Sequence, residues 1–149
     1  LPSEENNEKL FGMQIIANEF DEVEGYNNKL LISATELTLS EAVQKIHELG
    51  GLTIASHVDR DSYSIIGQLG FIPEELKLDA LELSPHIEYC EAARKFPEIK
   101  NYPVIKSSDS HYLDDIGRVT TSFLISEPII KEISMALGNQ EERTYSIEE

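Results

Sequence analysis

Asp109 and His111 stand two residues apart at the polar end of an apolar run, where Tyr102-Pro103-Val104-Ile105 leads into Ser107-Ser108-Asp109-Ser110-His111. On an extended backbone, residues two apart project to the same side, about 7 Å apart along the chain. A carboxylate oxygen and an imidazole nitrogen at that spacing suit Zn, Mn or Fe. His57 closes a second apolar run, Leu52-Thr53-Ile54-Ala55-Ser56, in the same manner. If the two runs are neighbouring parallel strands, His57, Asp109 and His111 meet at one sheet edge as candidate metal ligands. The plainer assignment makes Asp109 a cap for the following turn and His111 an ordinary loop residue, but it leaves His57 unexplained.

Other residues near these loops carry weaker signals. Glu82 lies inside the apolar stretch Asp79-Ala80-Leu81-Glu82-Leu83-Ser84. Facing inward it needs a partner, since an unpaired buried carboxylate is costly. It can ligate a metal, orient a ligand from behind, or pair with a lysine or arginine. Arg60, three residues after His57, can clamp a phosphate in the bidentate way guanidinium favours, and Lys106 and Arg118 flank the other loop with the same capacity. Surface ion pairs are the alternative for all three. His86 follows Pro85 at the end of the Glu82 run and ranks below the other histidines. His47 sits beside the apolar stripe of a helix and reads as a helix-surface or interface residue. Tyr63 and Tyr112 are either pocket walls or packing.

The elements that must hold these residues follow from periodicity. Two β-prone runs, Phe11 to Ala17 and Lys29 to Ser33, are separated by an acidic stretch with Asn and Gly, so residues 10–35 read as a hairpin that is an insertion or lead-in. Thr38-Leu39-Ser40-Glu41 is a capping box, followed by a helix with Leu39, Ala42, Val43, Ile46 and Leu49 on one stripe and Gly50 and Gly51 at its end. Beyond it, four short apolar strands alternate with helices: Leu52 to Ser56, Leu78 to Leu83, Tyr102 to Ser107 and Thr121 to Ile125. The intervening helices run from Asp61 or Ser62 to Leu69, from Ile87 to Phe96, and from the Ser126 cap to Leu137, with a short turn at Tyr112 to Ile116.

That alternation predicts an α/β fold with about four parallel βα units preceded by a β-hairpin. A closed barrel of this kind takes about 250 residues, so the chain supplies little more than half of one. In a barrel or an open α/β sheet, sites collect at the C-terminal ends of the strands, where His57, Glu82, Asp109 and His111 fall. Residues 1–9 read as a disordered segment or linker, 10–138 as the domain, and 139–149 as an acidic tail.

Composition limits what the chain can meet. The formal net charge is −16, from 28 acidic and 12 basic side chains. Such a surface repels polyanions, which makes long nucleic acid an improbable partner, and a small phosphorylated substrate needs local help from cations. No apolar run approaches the ~20 residues of a membrane span. The single cysteine, Cys90, excludes an intrachain disulfide and any cysteine-based zinc site, and fits a reducing cytoplasm. The first residues lack an initiator methionine and the marks of a signal peptide, so a fragment is expected, with processing as the other explanation.

The stretches Gly50-Gly51-Leu52-Thr53-Ile54-Ala55-Ser56-His57-Val58-Asp59-Arg60 and Ser107-Ser108-Asp109-Ser110-His111-Tyr112-Leu113 resemble the PHP family, the polymerase-and-histidinol-phosphatase metal-dependent phosphoesterases. The similarity runs from about Phe11 to Leu137 and includes Ser64 to Pro73. It implies the C-terminal part of a (β/α)7 barrel holding two or three divalent metal ions at the strand ends. His57 matches the family's later single-histidine motif, and Asp109 and His111 match its final Asp-x-His motif. The opening His-x-His motif occurs nowhere in this sequence. The resemblance therefore implies part of a phosphoesterase that hydrolyses a phosphate ester with metal-activated water, incomplete in this chain. The alternative is a degenerate half-barrel that binds metal or assembles without turnover. Its partners would be the missing N-terminal segment or another copy of the chain.

Overall fold

Three short apolar runs, each ended by turn chemistry, form a parallel sheet in the order β3-β4-β5, with β3 at Ile54–Ala55, β4 at Ala80–Leu83 and β5 at Val104–Lys106. This is the arrangement in a computed structural model that describes residues 4–148. Residues 1–3 of the expected linker and Glu149 of the expected tail lie outside the described residues. The chain divides into two compact units, Leu1–Ala42 and Val43–Glu149.

In the first unit a helical turn, α1 (Glu8–Phe11), precedes the antiparallel strands β1 (Ile15–Ala17) and β2 (Val23–Tyr26). The hairpin is where the sequence places one, but its second strand comes earlier than the Lys29 to Ser33 run. Asn18 sets the early reversal: its side-chain oxygen accepts from Phe20 N at 2.9 Å and Glu22 N at 3.1 Å, tightening the turn. Gln14 then ties down the later run, donating to the carbonyls of Asn27 and Lys29 and accepting from Leu31 N. Within the stretch expected as a linker, Asn6 N donates to Asn28 O at 2.8 Å. No hydrophobic side chain of the described residues up to Ala42 is buried.

The helix α2 (Leu39–Glu48) starts at the expected capping box: Thr38 N donates to Glu41 Oε2 at 2.8 Å and Glu41 N to Thr38 Oγ1 at 3.3 Å. Only Val43 of its apolar stripe is buried. In the second unit, the parallel register pairs Ala55 with Leu81, Leu81 with Val104 and Leu83 with Lys106. Leu81, Leu83 and Val104 pack with Ile66 of α3 (Ile65–Leu69), Ala92 and Ala93 of α4 (Tyr89–Lys95) and Ile99 of the 3-10 turn Pro97–Asn101. Leu81, Leu83 and Ile99 are fully buried. Each such side chain contributes roughly 1.5–3 kcal/mol of burial energy.

The fourth expected strand departs from the parallel pattern. It forms β6 (Thr120–Leu124), which pairs antiparallel with β7 (Thr144–Glu148), and α5 (Ile130–Leu137) connects the two. The alternation in β7, with Tyr145 and Ile147 half-buried between exposed neighbours, gives part of the acidic C-terminal stretch a strand period. Between β5 and β6, hydroxyl groups replace a backbone ladder. Thr121 Oγ1 accepts from Lys106 N at 3.0 Å and donates to Lys106 O at 2.7 Å, while Ser108 Oγ accepts from Val119 N at 3.2 Å and donates to Val119 O at 2.9 Å. As residue numbers rise from 106 to 108, their partners fall from 121 to 119, so the two segments run antiparallel. The parallel sheet thus has three strands instead of four. None of the described helices is long and apolar enough to cross a membrane.

Candidate functional site

The loops that follow β3, β4 and β5 converge on one cleft of about 440 Å³. Arg60 reaches it from the first loop, His86 from the second, and Asp109 and His111 from the third, with Asp115 and Arg118 closing the far wall. β3 and β5 are not neighbours, because β4 lies between them. Two strand spacings separate them, about 10 Å, a gap an arginine side chain can cross. The Arg60 guanidinium donates through Nη1 to Asp109 Oδ2 and so bridges the outer loops.

Local chemistry fixes each loop. After β3 the chain turns at once, with Arg60 N donating to His57 O at 3.0 Å and Val58 N to Glu82 O at 2.9 Å. Asp59 accepts from both Ser84 N (2.7 Å) and Ser84 Oγ (2.6 Å), which pins this turn to the end of β4. Ser64 caps α3 through Gly67 N and donates its hydroxyl to Arg60 O. A Cβ on Gly67 would lie 2.5 Å from Asp61 O, so only glycine lets α3 approach the Arg60 loop this closely.

Two of the three candidate ligands hold an unusual backbone. His57 has φ 28° and Asp109 φ 47°, in the left-handed region that L residues with side chains rarely adopt. Strain of this kind costs about 1–3 kcal/mol per residue and clusters at functional sites. His111 Nδ1 lies 2.8 Å from the carbonyl oxygen of Asp109. A carbonyl only accepts, so Nδ1 carries the proton, and in the neutral ring Nε2 keeps the lone pair a metal requires. His57 Nδ1 is buried with no hydrogen-bond partner among the described residues.

These donors fit a metal in part. His57 Nδ1 lacks a hydrogen-bond partner among the described residues and His111 Nδ1 is taken by the Asp109 carbonyl, while the Asp109 carboxylate is engaged by Arg60. Among the described residues, no three of His, Cys, Asp and Glu stand close enough together to hold an ion unaided. His57 does not line the cleft that holds Asp109 and His111.

The remaining candidates separate clearly. Glu82 is half-buried on β4 and accepts from the Ser107 hydroxyl, with no part in the cleft wall. Lys106 is 2% exposed and lies on the buried face of β5 beside Leu83, away from the cleft. Arg118 lines the cleft and pairs with Asp115 at 2.9 Å. Tyr112 is on the cleft wall and Tyr63 is not. His86 lies in the cleft despite the weak rank its sequence context gave it. His47 is at a helix-sheet junction, its Nε2 2.8 Å from Asp79 Oδ2, and Thr53 N donates to the same oxygen at 2.6 Å. Burial opposes the charge on Asp79, but these hydrogen bonds outweigh it and hold the carboxyl below its ordinary range. Asp59 and Ser108 went unmarked in the sequence, because their roles depend on partners 25 and 11 residues away that no local motif announces, and Asp115, an i,i+3 partner of Arg118, was passed over although its spacing could have marked it.

Residues 88–141 match the family described as PHP-associated, a span that contains Lys106, Asp109, His111 and Arg118. The uncharacterized protein YqxK of Bacillus subtilis (strain 168) is 27% identical over 105 residues, covering 67% of this chain and 27% of that protein. The chain thus spans about a quarter of the length of this curated relative. No solved structure matches. Residues 88–141 are thus similar to the PHP-associated domain found with PHP family proteins.

Proposed function

We propose that this chain forms the C-terminal part of a metal-dependent phosphoesterase, and that its cleft is one wall of the active site. The observation that carries the proposal is the meeting of Arg60 with Asp109 and His111 at the C-terminal ends of parallel strands. Divalent ions of Zn, Mn or Fe, when bound, supply an activated water and neutralise charge on the phosphate. In this reading His57, Asp109 and His111 are part of a ligand set completed by residues outside these 149, and Glu82 orients the sheet end through Ser107. Arg60 and Arg118 each use one terminal nitrogen on a carboxylate, which leaves further N–H donors to orient a phosphate.

Metal content and phosphate release from an aryl phosphate test this reading, on the chain alone and joined to the sequence that adjoins it in its parent protein. The joined form should hold more metal and turn over substrate, and His57→Ala with Asp109→Ala should remove most of the metal. Unchanged metal in that double variant would sink the assignment.

A second reading, a non-catalytic assembly module, draws support from the first unit. Phe11, Ile15, Val23 and Tyr26 are each more than half exposed, and an isolated two-stranded hairpin is at best marginally stable. Such a surface favours association with a second copy or with an adjoining segment. Size-exclusion chromatography distinguishes them: a well-behaved monomer at micromolar concentration counts against the assembly role.

A further inference from the structure

The polar cleft does not end at His111. A second hollow of about 410 Å³ adjoins it, lined by Ser110, His111, Tyr112, Leu113 and Ile116. Both hollows share His111 and Tyr112, so they are two halves of one surface. Their chemistry differs sharply. The first carries two guanidinium groups, two imidazoles and the carboxylates of Asp109 and Asp115, while the second sets a phenol ring and two aliphatic side chains beside Ser110 and His111. Tyr112, Leu113 and Ile116 are 78%, 86% and 68% exposed and line one hollow together, as a contiguous apolar patch.

The fold makes this shelf deliberately. Residues 107–119 bridge β5 and β6, and the hydroxyl pairs of Ser108 with Val119 and Thr121 with Lys106 clamp the base of that loop. Between the clamped ends, the 3-10 turn Leu113–Asp115 and the Asp115–Arg118 ion pair hold the middle. Tyr112 and Leu113 are thereby presented outward at the cleft edge.

We infer that the shelf of Tyr112, Leu113 and Ile116 binds the organic group of a phosphate ester whose phosphate lies against Arg60 and Arg118, and that it selects esters with an aromatic or apolar organic group. The inference rests on the phosphoesterase reading for the phosphate end and adds the identity of the other end. With the phosphate on the N–H donors that Arg60 and Arg118 do not use for Asp109 and Asp115, a polar hollow continuous with a more apolar one fits an amphipathic anion better than inorganic phosphate or a polyol phosphate. An aromatic ring stacking on Tyr112 adds offset-stacking energy to the burial of the two aliphatic side chains.

Binding of three non-hydrolysable or inert probes by the chain tests this: inorganic phosphate, methylphosphonate and phenylphosphonate, titrated calorimetrically. Phenylphosphonate should bind about tenfold more tightly than methylphosphonate. Leu113→Ala with Ile116→Ala, both outside the lining of the first cleft, should sharply reduce that ratio while leaving inorganic phosphate affinity unchanged, and Tyr112→Phe should retain it. The substituted side chains are exposed, and the unchanged phosphate affinity reports that the fold survives. Equal affinity for the two phosphonates in the unaltered chain overturns the shelf but leaves the anion site standing. A preference that persists in the double variant overturns its location. Failure of all three probes to bind overturns the shelf together with the phosphate role of the arginines.

Discussion

Arg60 and Asp109, 49 residues apart in sequence, are joined guanidinium to carboxylate over the top of β4, tying the first loop of the parallel sheet to the third. Both residues line the cleft, and the Arg60 side chain is 47% exposed. An ion pair in such high dielectric is worth about 0.2–1 kcal/mol. Asp109→Asn should therefore lower the unfolding free energy in urea by no more than about 1 kcal/mol. The difference should shrink at 1 M salt, where the screening length falls to ~3 Å. A loss well above this range would mean that the pair is a structural clamp and not an adjustable part of a binding surface.

Asp79 gives the second unit a defined acid sensitivity. Its carboxyl titrates at about 3.8 in the unfolded chain and lower in the folded one, because Thr53 and His47 hydrogen-bond the charged form strongly enough to overcome burial. A depressed folded value means that the unfolded state binds the proton more tightly. The stabilisation is then complete above the unfolded value and is lost as pH falls through the folded one. Urea midpoints measured across this acidic range should drop steeply for the unaltered chain and less steeply for Asp79→Asn. Identical slopes would show that the carboxylate is not tied to folding.

The parallel core was legible because each of its strands is a short apolar run with a turn residue at its end, and the loops after those runs converge as the strand direction requires. The capping box at Thr38 and Glu41 was legible for the same reason: its partners are three residues apart. Features that depend on register across long loops were not. Thr120–Leu124 reads as one more parallel strand until Thr144–Glu148 is seen beside it, and an acidic composition around β7 conceals its alternation. The hairpin in the first unit was anticipated, yet the side chains of Asn18 and Gln14 decide which run becomes its second strand. His57 and the Asp109–His111 pair were placed on one sheet, but the intervening strand puts His57 outside the cleft wall.

Thr121 should be the least replaceable hydroxyl in the sheet. Its Oγ1 bonds both the amide and the carbonyl of Lys106, a residue 2% exposed, so removing it takes a hydrogen bond from each of two backbone groups of a buried residue. An unsatisfied buried polar group costs about 1–3 kcal/mol. Thr121→Val keeps the shape and should lose stability within that range, whereas Thr121→Ser should recover most of it. Amide hydrogen exchange at Lys106 gives a local check: exchange should quicken in Thr121→Val and remain slow in Thr121→Ser.

Gly67 links the helix α3 to the site. Any side chain there meets Asp61 O at 2.5 Å and Arg60 O at 3.0 Å, and both are backbone atoms of the loop that carries the arginine. The clash cannot be relieved by turning a flexible side chain, so either α3 or the loop must shift. Overpacking of this kind costs about 1–3 kcal/mol. Ser64 caps α3 and also bonds Arg60 O, so a shift of α3 is coupled to the loop that carries Arg60. Gly67→Ala should therefore weaken inorganic phosphate binding more than an equally destabilising change remote from the loop, for which Ile99→Val in the core is the comparison. If the two variants, matched in urea stability, bind phosphate alike, α3 does not position Arg60.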